Sequence, residues 1–99
     1  MALIHEENYF TADDQFCVKF RTSTFRGSLN SEVRTEVMVM PKVNDSDSYG
    51  FNSAKDFQRD LLKTATGRVT KQMIQKHRDF ITESYSRIMQ ELKQQSIIS

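Results

Sequence analysis

The chain has 99 residues, a formal net charge of +1 and a 37% apolar composition without tryptophan, which is material for one domain with one small core. Three glycines and one proline argue against a disordered or loop-rich chain, the single Cys17 excludes an intramolecular disulfide, and no run approaches the ~20 apolar residues of a membrane-spanning helix. The charge is unevenly spread: residues 1–50 carry five basic against eight acidic side chains, a balance of −3, and residues 51–99 carry nine against five, a balance of +4. Neither half has the strong basic excess usual in nucleic-acid-binding domains of this size. The opening MALIHEENYF has no basic stretch followed by an apolar one, so no secretory signal is expected and a cytoplasmic location is the default reading.

In chain order, residues 1–14 are ambiguous. Leu3, Ile4, Tyr9 and Phe10 can form a short strand, after which Thr11-Ala12-Asp13-Asp14 reads as a turn. From Gln15 to Arg26 the chain alternates, with Phe16, Val18, Phe20, Thr22 and Thr24 on one face and Cys17, Lys19, Arg21, Ser23 and Phe25 on the other. After a Gly27-containing loop, residues 32–40 alternate again, with Val33, Thr35, Val37 and Val39 opposite Arg34, Glu36, Met38 and Met40. Two such runs make an antiparallel hairpin, and Pro41, without an N–H, ends the ladder.

Residues 42–52 read as a polar loop. Ser53 and Asp56 then resemble a capping box, and Phe57, Leu61 and Leu62 recur as on the buried face of a first helix over about 54–66, with Gly67 at its left-handed C-terminal position. Thr70 caps a second helix that runs to about Gln95 with apolar residues at helical spacing, among them Ile74, Ile81, Ile88 and Leu92. The tail Ser96-Ile97-Ile98-Ser99 can fray or dock. The expected fold is a single α+β domain over 1–99: an antiparallel β-hairpin or three-stranded sheet in a β-rich half (1–41), a loop (42–52), then two helices (53–99) on one side of the sheet. At 1.5 Å per residue the second helix would be ~39 Å long, more than the radius of gyration of ~13 Å allows a small domain to cover, so its distal half is expected to overhang.

An overhanging apolar stripe suggests self-association, as a homodimer or other homo-oligomer, through Tyr85, Ile88, Met89 and Leu92. The outward face of the hairpin offers Arg21, Phe25, Arg34, Met38 and Met40 to a protein partner, since methionine adapts to varied surfaces and exposed aromatic and arginine side chains dominate many interfaces. The polar face of the long helix carries Lys71, Lys76, Arg78 and Arg87, which could meet phosphates, although Asp79, Glu83 and Glu91 dilute it.

Other chemistries are less well supported. Asp45, Asp47, Gly50 and Asp56 fall on positions one, three, six and twelve of a calcium loop, but Tyr49 fills the fifth position and a strand precedes it. His77 lies on the apolar stripe and reads as a packing residue, and His5 has only Glu7 near it at ligand spacing. Lys19 and Arg21 could lower the pKa of Cys17, but no base–nucleophile pattern surrounds it. The sequence therefore leads to the expectation of a small non-catalytic protein-binding module, a regulator, adaptor or inhibitor, by analogy of the kind encoded by a virus or mobile element, with no cofactor and no metal. Nucleic-acid binding through the basic helix face or the hairpin is the alternative.

Overall fold

The computed structural model describes residues 2–27, 30–42 and 57–98. Its elements are β1 (Ala2–Phe10), β2 (Phe16–Arg26), β3 (Ser31–Pro41), β4 (Phe57–Thr66) and α1 (Lys71–Gln94). The strands form one antiparallel sheet in the order β1-β2-β3-β4, each paired with its sequence neighbour. The expected β2–β3 hairpin is there, with Phe20 opposite Val37 and Thr22 opposite Thr35, and Pro41 is the last residue of β3. Gly27 closes its turn by donating to the Asn30 carbonyl at 2.8 Å, and a Cβ on Gly27 would lie 2.7 Å from that same oxygen. A side chain does not fit there.

The expected two helices are corrected to four strands and, among the described residues, one helix. Residues 57–66, expected as the first helix, form β4. The reason is visible in the ladder: the register shifts between Thr35 and Glu36, which leaves Leu61 as an extra residue on the β4 side. Phe57, Arg59 and Leu61 alternate before the bulge, and Leu62, Thr64 and Thr66 after it. One inserted residue turns a strand's period of two into an i, i+4, i+5 apolar pattern, which imitates a helix. Gly67 has no left-handed backbone, so it is not a helix terminator. The capping box at Ser53 and Asp56 and the calcium-like loop at Asp45, Asp47, Gly50 and Asp56 lie outside the described residues.

The ambiguous N-terminal segment is β1, bulged between Leu3 and His5 and paired with β2 so that Tyr9 faces Val18. The Thr11–Gln15 turn is tied by the Thr11 hydroxyl, which donates to Asp13 Oδ1 at 2.6 Å and accepts from the Phe16 N–H at 3.2 Å.

Helix α1 begins at the expected cap, where the Thr70 hydroxyl accepts from the Met73 N–H at 3.3 Å. It lies along one sheet face and buries His77, Ile81, Ser84, Ile88 and Leu92 at helical spacing. These meet Val18, Phe20, Val37 and Val39. The helix stops on Ser96, which takes a left-handed φ of 59°. Ile97 N–H then donates back to the Leu92 carbonyl at 2.9 Å and Ser96 N–H to Lys93 at 3.0 Å, the paired bonds of a Schellman ending. That turn docks the tail, and Ile98 is buried in the core.

The expected overhang is also corrected. Twenty-four helical residues span about 36 Å, and an eleven-residue strand spans about 37 Å, so the two match. Paired with strands this long, the distal half of the helix has a sheet beneath it.

Candidate functional site

The face away from α1 carries Lys19, Arg21, Ser23, Phe25, Glu32, Arg34, Glu36, Met38 and Met40 from the central strands, with Glu6 and Asn8 from β1 and Gln58, Asp60 and Lys63 from β4. Its charges are matched in pairs across and along the strands. Lys19 reaches Glu6 at 3.4 Å, Arg34 reaches Glu32 at 2.6 Å, Lys63 reaches Asp60 at 3.1 Å, and Arg21 clamps Glu36. Glu36 is only 5% exposed. It is satisfied at both oxygens, accepting from Arg21 Nε at 2.8 Å and from Gln58 Nε2 at 2.6 Å.

The residues expected to face a protein partner sit within this lattice. Arg21 is held by Glu36, and Arg34 lies over the Phe25 ring at 4.3 Å from its centroid. Met38 and Met40 are each 8% exposed. The four residues expected to mediate self-association divide. Ile88 and Leu92 are buried against the sheet, Met89 is half-buried, and Tyr85 is exposed and stacks on Tyr9, with ring centroids 5.0 Å apart and planes 7° from parallel. Of the basic helix residues, Lys71, Lys76 and Arg78 are exposed, whereas Arg87 joins Arg59 on the carboxylate of Glu91. Those two arginines hold the Glu91 carboxyl below its ordinary range.

Periodicity could place His77 on the buried face of the helix but could not show its partners. It is fully buried. Its Nδ1 is 2.8 Å from Thr35 Oγ1, its Nε2 is 2.9 Å from Thr64 Oγ1, and Thr35 Oγ1 is 2.8 Å from Thr22 Oγ1. A neutral imidazole donates from one nitrogen and accepts at the other, and hydroxyls rotate to suit either side, so the chain of four groups is satisfied without a buried charge. Burial, with a smaller contribution from Lys76, lowers the pKa of His77. The network is a polar layer that runs from the buried Thr22 to the half-buried Thr64.

Cys17 is buried, with its thiol 3.7 Å from Asn8 Oδ1. Burial pushes its pKa up, and Lys19 offsets only part of that, so the basic neighbour does not make a reactive thiolate. His5 does meet Glu7, at 2.9 Å, and Glu7 also accepts from the Tyr9 hydroxyl at 3.2 Å. Burial, followed by the Glu7 charge, raises the pKa of Tyr9.

Sequence reading offered the first strand as one option for residues 1–14 but did not single it out as a candidate surface. Among the described residues, the large apolar side chains most open to water are Leu3 at 53%, Phe10 at 57% and Tyr85 at 37%. Two of them belong to β1, and the third rests on Tyr9 of β1. β1 ends the described sheet, so its outer backbone edge has no described strand beside it. The signal in the sequence was slight: the ambiguous segment 1–14 carries four acids, Glu6, Glu7, Asp13 and Asp14, and no Lys or Arg.

Comparison with protein-family models, with curated proteins and with solved structures returned no match. Among the described residues, no helix is long and apolar enough to cross a membrane.

Proposed function

We propose that this chain is a non-catalytic protein-binding module that docks a partner along β1. The observation that carries this reading is the exposure of Leu3 and Phe10 on the face of β1 away from α1, with Tyr85 exposed on the other face, where it stacks on Tyr9 of the same strand. An outer strand offers a row of backbone donors and acceptors at the spacing of an extended chain, and apolar side chains beside it supply specificity. The charge narrows the partner. β1 carries Glu6, which Lys19 already meets, and Glu7, whose neighbours are His5 and the Tyr9 hydroxyl and which has neither Lys nor Arg beside it among the described residues, so an extended segment with basic and apolar residues complements it. The bulge at Ile4 interrupts the edge and limits indiscriminate strand pairing.

The test is a titration of the isotopically labelled chain with two synthetic extended peptides, one alternating lysine with apolar residues and one alternating glutamate. Saturable shifts of the β1 amides with the lysine peptide alone are expected. Leu3→Glu and Phe10→Glu should abolish them while leaving the melting temperature within a few degrees of the parent. Absence of β1 shifts with either peptide overturns the reading. A concentration-dependent dimer that Phe10→Glu dissolves would overturn it as well, by making a second copy the occupant.

A further inference from the structure

The paired charges on the sheet face throw a different group of side chains into relief. At the far pole, where the β2–β3 turn meets the connection from β4 to α1, a cleft of about 360 Å³ is lined by Arg26, Ser31, Gly67, Arg68 and Val69. Arg26 ends β2 and pairs with Ser31 at the start of β3, which pairs in turn with Thr66 at the end of β4. The Thr66 hydroxyl donates to the Arg68 carbonyl at 3.0 Å and accepts from the Arg68 N–H at 3.3 Å, so the backbone that presents Arg68 is held by a local turn. Every described basic residue of the sheet face has an acidic partner, whereas neither Arg26 nor Arg68 has one among the described residues. Glu32, the nearest acid in sequence to Ser31, is held by Arg34.

We propose that this cleft is a binding site for a phosphate group. Two guanidinium groups supply planar arrays of N–H donors that match the oxygens of a phosphate, and Ser31, which lines the same cleft, adds a hydroxyl. No acid lines the cleft to compete for those donors. The potential is reinforced from outside: the first turn of α1 contains no acidic residue, and Lys71 stands at its start. The shared ligand chemistry is a tetrahedral phosphate, whether free or within a phosphodiester chain. The site is at the opposite end of β2 from the turn that follows Phe10, and it does not depend on β1 docking a protein.

Gly67 makes the test clean. A Cβ at this position would meet nothing within 4 Å, and Gly67 lines the cleft, so Gly67→Asp adds a negative charge to its lining at a backbone position with room for a side chain. The full chain is titrated at low salt with inorganic pyrophosphate and, separately, with an oligothymidylate lacking terminal phosphates. Saturable shifts of the Ser31, Gly67 and Arg68 amides are expected with at least one probe. Arg26→Gln and Arg68→Gln should each weaken binding by about tenfold or more, the loss expected when one charged donor is removed, and Gly67→Asp should abolish it. Thermal melts of the three variants that match the parent confirm folding. A response to pyrophosphate alone assigns a free or terminal phosphate; a response that includes the oligonucleotide assigns a phosphodiester. No saturable shift with either probe, or shifts unaltered in the folded variants, overturns the proposal.

Discussion

At the scale of single residues, His77 links the fold to pH. The folded chain holds it neutral between Thr35 and Thr64, and its pKa lies below the ordinary value. The unfolded chain therefore takes up a proton there more readily than the folded one. Its contribution to stability is complete above the unfolded value of about 6.5 and is lost as pH falls through the lowered folded value. Chemical denaturation of the parent should give a stability that declines between about pH 7 and pH 5, and His77→Gln should flatten that decline. The same substitution should cost about 1–3 kcal/mol at neutral pH, because it removes the ring that bridges the Thr35 and Thr64 hydroxyls inside the core. An equal pH slope in the two proteins would mean that another group titrates.

At the scale of elements, the long helix is a core element along its whole length. Ile88 and Leu92 are buried against Val18 and Val39 with the docked Ile98. An aspartate at position 88 would be an unpaired carboxylate inside an apolar cluster. Ile88→Asp is therefore expected to unfold the chain, read as loss of helical circular dichroism at room temperature, and not to yield a folded monomer. Tyr85→Ser, on the exposed flank, should cost much less, about 1 kcal/mol for a lost aromatic stack. If both variants fold with similar melting temperatures, the helix is not packed as described.

At the scale of the whole molecule, the meander places its most protected hydrogen bonds at the centre. β2 and β3 are paired on both sides and carry most of the buried strand residues, whereas β1 and β4 form the outer edges and alternate between half-buried and exposed positions. Amide exchange should be slowest in β2 and β3 and in the sheet-facing turns of α1, and faster in β1 and β4. Exchange that is uniformly slow across β1 would mean that its edge is already covered in solution, which would bear directly on the docking role proposed for it.

Much of this architecture was legible in local pattern. The alternation of residues 15–26 and 32–40 marked a hairpin with its core face outlined, and the spacing of Ile81, Ile88 and Leu92, with Thr70 before them, marked the helix and its start. These are properties of adjacent residues, set by a period of two or of 3.6 and by a single cap. β4 was not legible because a bulge is an event between two strands. Only its alignment with β3 shows Leu61 to be the inserted residue, and without that alignment its leucines read as a helix. The candidate sites depended on assembly in the same way. Arg26 and Arg68 are 42 positions apart and meet because β2, β3 and β4 end at one pole, while Tyr85 reaches Tyr9 because α1 lies back along the sheet. The sequence by itself determined which stretches alternate, which stretch coils and which faces are apolar, since those follow from local geometry. The tertiary structure decided which apolar faces are covered, which charges find partners and which remain for a ligand, because burial and pairing are relations between distant segments.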